Sequence, residues 1–345
     1  MYALAKPLLF SLQPDKAHAF VMASLAALEH ARLLRALVRP KHDPRLRVHT
    51  MGLDFPSPIG LAAGFDKNAH RARALEALGF GFLELGTVTA RSQDPNPRPN
   101  LFRLPIDRAL VNRLGFPNDG AARVAARLGK LGKVGVPIGV SIGKSREVDA
   151  GDIGSVVADY TASFDAVRSV ADFVVVNVSS PNTRDLRSLQ SAALADTLLG
   201  ALAERARAHG SPPPILVKVA PDLADREIDA LCEVVDKHGL AGIVATNTTL
   251  QRTGLATPKE TVDAIGAGGL SGPALRLRAR EVVKRVREAL PKATIVGVGG
   301  IERGADARAI LDVGADLVQI YTAFIYRGPF TARAIARELL QLMVR

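Results

Sequence analysis

The stretch Phe173-Val174-Val175-Val176-Asn177-Val178-Ser179-Ser180-Pro181-Asn182-Thr183 passes without a break from apolar residues into amides, hydroxyls and a proline. Its first half has the continuous apolar character of a strand covered on both faces, as in parallel sheets. Its second half delivers polar groups to one rim of that sheet, where active sites are built. Ser, Asn and Pro are also the commonest residues of plain turns. What separates the two readings is whether the pattern recurs.

It does recur. Apolar or β-branched runs cover residues 58–65, 82–89, 137–143, 172–179, 214–220, 242–248, 293–299 and 317–323, with helix-forming sequence between most of them. Eight such units predict an α/β fold of the closed (β/α)8 TIM-barrel type rather than an open doubly wound sheet. Polar residues gather where these runs end: Asp66-Lys67, Thr87, Ser141, Asn177, Lys218, Thr246-Asn247-Thr248, Gly299-Gly300 and Tyr321-Thr322. Barrel enzymes keep their chemistry on that face. The opposite ends, where the runs begin, are Pro, Gly or apolar residues and read as structural.

Residues 1–41 stand outside the repeat and form an N-terminal helical extension to a barrel domain spanning 42–345. Pro14 suits the first turn of a helix, and Phe20, Val21, Leu25, Leu28, Leu33 and Leu37 follow at helical spacing, with Arg32, Arg35, Arg39 and Lys41 toward the end. A basic amphipathic segment of this kind either packs on the barrel or lies in a membrane interface against anionic head groups. Two short hairpins are expected outside the barrel, at 46–55 and 101–111.

Composition narrows the function. The formal charge of +11 points to an anionic partner, although Arg276, Arg278, Arg280, Lys284, Arg285 and Arg287 also read as one solvated helix face. Tryptophan is absent and aromatics make up 5%, which is poor material for a nucleic-acid surface of stacked rings. The single Cys232 forms no internal disulfide, and the seven histidines show no metal-ligand spacing, so no metal site is expected.

The rim offers amides, hydroxyls, lysines and glycines, a set suited to a planar heterocycle that carries a phosphate. The glycine segments 268–272 and 297–300, together with Tyr321-Thr322, fall near or after the last three runs, where barrels often bind phosphate. Lys218, inside Ile215-Leu216-Val217-Lys218-Val219, needs a negative partner if it is buried, because desolvating an ammonium costs several kcal/mol. Lys67 poses the same question.

Taken together, Ala62-Ala63-Gly64-Phe65-Asp66-Lys67, Glu84-Leu85-Gly86-Thr87-Val88-Thr89, Asn112-Arg113-Leu114-Gly115-Phe116, the stretch quoted at the outset, Val217-Lys218-Val219-Ala220-Pro221-Asp222, Thr246-Asn247-Thr248-Thr249, the two glycine segments and Gln319-Ile320-Tyr321 resemble dihydroorotate dehydrogenases of the quinone-dependent, membrane-associated class. The resemblance runs over nearly the whole chain. It implies an FMN enzyme of pyrimidine (UMP) biosynthesis that oxidises dihydroorotate to orotate and passes the electrons to a membrane quinone. In such enzymes a hydride leaves C6 for N5 of the flavin while a base takes the C5 proton. The base position falls on Ser180; the class that uses soluble acceptors has cysteine there. A serine hydroxyl is a weak base, so alkaline activity is expected.

The same resemblance assigns Lys67, Asn112, Arg113, Leu114, Gly115, Phe116, Asn177, Asn182, Asn247 and Thr248 to the substrate, with Lys67 facing its carboxylate. To the flavin it assigns Ala63, Gly64, Phe65, Asp66, Lys67, Thr87, Asn177, Lys218 and Thr246, with Gly272, Gly300, Tyr321 and Thr322 at the phosphate. Ser141 stands where the family has a flavin-contacting asparagine, and its shorter side chain would reach the ring through water. His18, Arg103 and Tyr321 match positions of a quinone tunnel, and residues 1–41 match a membrane-lying extension. A monomer on the cytoplasmic side of the cell inner membrane, binding an anionic membrane surface and no nucleic acid, is the implied setting. The tRNA dihydrouridine synthases, a rival group of FMN barrels, use a cysteine acid, and no cysteine lies on this rim.

Overall fold

The computed structural model describes residues 2–183 and 185–343; residues 1, 184, 344 and 345 of the two expected segments lie outside the described residues. Eight parallel strands close into a barrel in chain order: β1 (Ile59–Leu61), β2 (Phe82–Val88), β3 (Ile138–Ile142), β4 (Phe173–Asn177), β5 (Ile215–Val219), β6 (Gly242–Ala245), β7 (Thr294–Val298) and β8 (Leu317–Ile320). Nearly every strand residue is buried, as strands sandwiched between a filled interior and an outer ring of helices must be. The first and last apolar runs overreach their strands. Ala62–Phe65 leaves the sheet for the rim, and Thr322 opens the helix Thr322–Arg327.

The hairpin expected at 46–55 forms as Val48–Thr50 paired with Leu53–Phe55, and it plugs the end of the barrel where the strands begin. There Phe55 meets Phe82 edge-on at 5.4 Å and Phe173 at 6.5 Å, in a cluster with Val175, Leu216, Val244, Val296 and Leu317. Glycine makes room for these rings. A Cβ on Gly60 would stand 2.3 Å from the Phe82 ring and one on Gly139 2.2 Å from Phe173.

The second hairpin, Leu101–Leu104 with Ala109–Asn112, gains a third strand, Gly269–Ser271, which pairs antiparallel with Ala109–Asn112. A segment read only as a glycine loop therefore also completes a small sheet beside the barrel mouth.

Three helices precede the barrel: α1 (Tyr2–Ser11), α2 (Pro14–His30) and α3 (Arg32–Val38). One face of them packs. The Glu29 carboxylate accepts the Ala74 backbone N–H at 2.8 Å, Arg71 donates to the Met22 carbonyl at 2.9 Å, and Leu25 is buried. The opposite face is open, with Leu4, Leu8, Leu33 and Leu37 between 71% and 84% exposed. Among the described residues no helix is long and apolar enough to cross a membrane.

Candidate active site

The strand ends of the barrel converge on one cleft. It is lined by Ala62, Ala63, Gly64 and Lys67 after β1, Thr87 on β2, Asn177, Ser180 and Asn182 from β4 and its loop, Lys218 on β5, Thr246, Asn247 and Thr248 after β6, Gly299 and Gly300 after β7, and Gln319, Tyr321 and Thr322 from β8 onward. Asn112, Leu114, Gly115 and Phe116 close it from the side, together with Ser271 and Gly272.

Asn177 is the hub. As the last residue of β4 its side chain turns into the barrel mouth, where Nδ2 donates to Thr87 Oγ1 at 3.1 Å. Its Oδ1 accepts Ser179 N–H and Oγ–H at 3.2 and 3.1 Å, and the Asn247 amide at 3.3 Å. Below it Tyr160 donates its hydroxyl to the Asn177 carbonyl at 2.9 Å. Buried polar groups need partners, and this network supplies them while fixing the direction of each amide. Asn182 donates to Asn112 Oδ1 at 3.0 Å, and its backbone N–H donates to Ser180 Oγ at 3.2 Å. Ser180 is 5% exposed, and that N–H is the partner its hydroxyl has among the described residues.

Two lysines face different situations. Lys218 Nζ sits 3.1 Å from Glu84 Oε1 inside the barrel, and Gln319 donates to the other carboxylate oxygen at 2.7 Å. This is the anion that a lysine in an apolar strand required. The pairing also fixes the Gln319 amide, whose Oε1 remains buried without a partner among the described residues. Lys67 has no hydrogen bond or ion pair among the described residues. Burial pulls its pKa down to about 8, against which Asp66 and Asp15 act only in part. An unpaired ammonium at the cleft wall favours a ligand with a negative group.

At the other end, Gly300 has φ +66° and a Cβ there would lie 2.8 Å from the Arg276 backbone. Only glycine fits such an approach. Thr322 donates to, or accepts from, Ser271 Oγ at 2.9 Å beside it. Backbone amides without intervening side chains, a free cation, and buried amides with spare acceptors suit a flat polar ring with an anionic tail.

Phe65, Asp66, Ser141 and Arg113 do not line this cleft, while of the residues matched to a quinone tunnel His18 stands beside it and Tyr321 within it. Phe65 packs in the core, edge-on to His18 at 5.3 Å and against Tyr321 at 6.5 Å. Asp66 accepts the N–H groups of His70 and Arg71 at 3.0 and 2.7 Å, holding the turn that leads into the helix Ala72–Ala77. Ser141 reaches the cleft only through Thr87, its hydroxyl 2.9 Å away. Arg113 turns outward, over the Phe102 ring at 4.7 Å and onto the carbonyls of Pro99 and Ala267 at 3.1 and 2.9 Å. His18 lines a neighbouring cavity shared with Lys67, and burial together with the Lys67 charge lowers its pKa to about 4. Arg103 lies over the Phe10 ring and donates to the Phe10 and Leu12 carbonyls at 3.1 and 2.9 Å, satisfying the end of α1. Tyr321 stands in the cleft, and burial raises its phenol to about 12.

Neither Glu84 nor Gln319 is among the residues that the sequence assigns to the site, yet for Glu84 the sequence carries a signal. Glu84 lies in a run as apolar as that around Lys218, so the same desolvation argument demanded a partner of opposite charge.

Comparison with known proteins places this architecture. The dihydroorotate dehydrogenase family model matches residues 45–343. A dihydroorotate dehydrogenase (quinone) of Rhodococcus opacus (strain B4) is 49% identical over 98% of this chain and 94% of its own length. That of Clavibacter michiganensis subsp. michiganensis is 48% identical over 99% of each. The crystal structure of Eimeria tenella DHODH in complex with ferulenol superposes with a TM-score of 0.86 at 33% identity, covering 98% of this chain and 95% of that one.

Proposed function

Because this chain belongs to the dihydroorotate dehydrogenase family, we propose that it oxidises dihydroorotate to orotate, with a quinone as the final acceptor and Ser180 as the group that takes the C5 proton. FMN, when bound in the cleft, supplies the acceptor for the hydride from C6. Ala63, Gly64, Thr87, Asn177, Lys218 and Thr246 would line its ring, with Ser141 acting through Thr87, and Gly272, Gly300, Tyr321 and Thr322 would hold its phosphate.

The observation that carries the reading is the convergence of an unpaired ammonium, Lys67, with the amides of Asn112, Asn177, Asn182 and Asn247 and the Ser180 hydroxyl in one cleft. Lys67 pairs with the substrate carboxylate, while the amides and Thr248 orient the ring. Ser180 Oγ accepts the Asn182 N–H, which tunes a lone pair but removes no proton. No carboxylate or imidazole among the described residues bonds to it. The proton therefore leaves through hydroxyls or water, and the reaction runs faster in alkali. Lys218, ion-paired with Glu84 at 3.1 Å, would offset negative charge that develops on the flavin as it is reduced.

Residues 1–41 serve as the segment that meets the membrane and the quinone, and 42–345 as the catalytic barrel. The four exposed leucines support this role, as does the contact of Phe65 with both His18 and Tyr321. The setting that fits is a monomer held peripherally on the cytoplasmic face of the inner membrane, working in pyrimidine synthesis.

Rapid mixing of oxidised enzyme with dihydroorotate tests the base. Ser180→Ala is expected to keep its yellow cofactor yet bleach it slower by about 10²–10⁴-fold. Bleaching at the parental rate would remove Ser180 from the mechanism.

A further inference from the structure

The loop that bears Ser180 and Asn182 is tied down by one guanidinium. Arg187, in the short helical turn Leu186–Gln190, donates Nε to the Ser179 carbonyl at 3.1 Å, one amino group to Asp222 at 2.7 Å, and the other to the Thr248 carbonyl at 3.0 Å. These three acceptors belong to different barrel units: the β4 loop, the end of β5 and the end of β6. Asp222 is itself fixed, accepting the Leu250 N–H at 3.0 Å and the Thr249 hydroxyl. Both members of the ion pair are about four-fifths covered, with side-chain exposures of 21% and 18%.

A planar fork of donors holds direction as well as distance, and no flexible ammonium reproduces it. The Ser179 carbonyl precedes Ser180 in the chain, so its placement sets where the Ser180 hydroxyl points. The Thr248 carbonyl is one peptide from the Asn247 side chain, which donates to Ser179 Oγ at 2.9 Å.

We propose that Arg187, anchored by Asp222, is a positioning residue for the proton-transfer step: it locks the Ser180 peptide against the rim that orients the substrate. The proposal rests on Ser180 being the base. Arg187 does not touch the substrate, and its effect is exerted through Ser180 and the Asn247–Thr248 peptide. A displacement of the base by an ångström is enough to cost about a hundredfold in rate.

The full-length flavin-loaded enzyme is the test, with Arg187→Ala, Arg187→Lys, Ser180→Ala and the double variant Ser180→Ala/Arg187→Ala. Arg187→Ala is expected to bleach the cofactor about a hundredfold more slowly at saturating dihydroorotate, with cofactor content near the parent's and a lowered Tm, because Asp222 loses its counter-ion. Arg187→Lys keeps the charge and the fold but cannot hold three acceptors in one plane, and it is expected to be slowed by about tenfold or more. If Arg187→Ala sheds its cofactor, Arg187→Lys carries the comparison. With Ser180 already removed, losing Arg187 is expected to slow bleaching by no more than about twofold, as for groups acting as one unit.

A parental rate in Arg187→Lys overturns the proposal. So does a double variant slowed by the full product of the single effects, or a raised KM with the saturating rate unchanged. A parental rate in Ser180→Ala is a different failure: it removes the base assignment and, with it, the step that Arg187 is said to serve.

Discussion

Lys67 shows how burial turns an ordinary side chain into a reporter of ligand charge. Water no longer stabilises its ammonium, and the nearby carboxylates Asp66 and Asp15 restore only part of that loss, so its pKa falls to about 8. A bound carboxylate favours the charged form and raises that pKa again. Orotate affinity is therefore expected to be flat below about pH 8 and to fall by about tenfold per unit above it. A titration of orotate against the visible band of the cofactor between pH 7 and 10 reads this directly; an affinity independent of pH across that range would separate Lys67 from the carboxylate. Ser180, as the proposed base, is expected to pull the other way, because proton removal gains with alkali while binding weakens. Saturating rates should keep rising where kcat/KM turns down. Lys218 contrasts with Lys67. Its charge is answered inside the protein by Glu84 at 3.1 Å, and removing either member of such a buried pair costs about 3–5 kcal/mol.

The elements that depart from a plain barrel carry the chain's surface character. The strongly basic helix Arg276–Ala289 looked from sequence like a solvated charged face or an anion site. Its arginines are instead largely spent within the fold. Arg278 and Arg285 bond Asp225 and Asp229 of the helix Asp225–Lys237, which follows β5, and Arg287 bonds Asp316 at 2.8 Å and the Gly314 carbonyl at 2.9 Å. The net charge of +11 is thus a poor guide to a partner in that region. The three N-terminal helices behave differently, since their open face is apolar. Replacing Leu8, Leu33 and Leu37 together by glutamate is expected to release the protein from anionic vesicles in a sedimentation assay, while dihydroorotate still bleaches the cofactor. Each leucine withdrawn from lipid forfeits about 1.5–3 kcal/mol of apolar transfer. Undiminished sedimentation of the triple variant would show that α1 and α3 do not face the membrane.

At the scale of the whole molecule, the two ends of the barrel are built for different purposes. The end where strands begin is a close-packed plug of Phe55, Phe82 and Phe173, and the end where they finish is the polar cleft. Phe173→Ala should remove about 3–5 kcal/mol of stability by leaving a cavity, lowering Tm without changing the rate of cofactor bleaching per bound flavin. A slowed rate there would mean that the plug and the cleft are mechanically coupled. Much of this was legible along the chain. Continuous apolar runs report strands covered on both sides, and their polar tips report the active rim, because both are local consequences of burial. The desolvation of Lys218 announced a missing anion, though not which one. What sequence could not reveal were pairings between residues far apart in the chain: Glu84 under Lys218, the strand Gly269–Ser271 beside Ala109–Asn112, and Arg187 spanning the Ser179 carbonyl, Asp222 and the Thr248 carbonyl. Nor could it reveal that Arg113 and Arg103 spend their donors on carbonyls away from the cleft. By itself the chain determined the eight-unit barrel and the face that gathers its polar residues, since periodicity and burial are written residue by residue. Only the tertiary structure decided which polar groups meet, because hydrogen bonds and ion pairs depend on distances of about 3 Å that barrel closure alone sets.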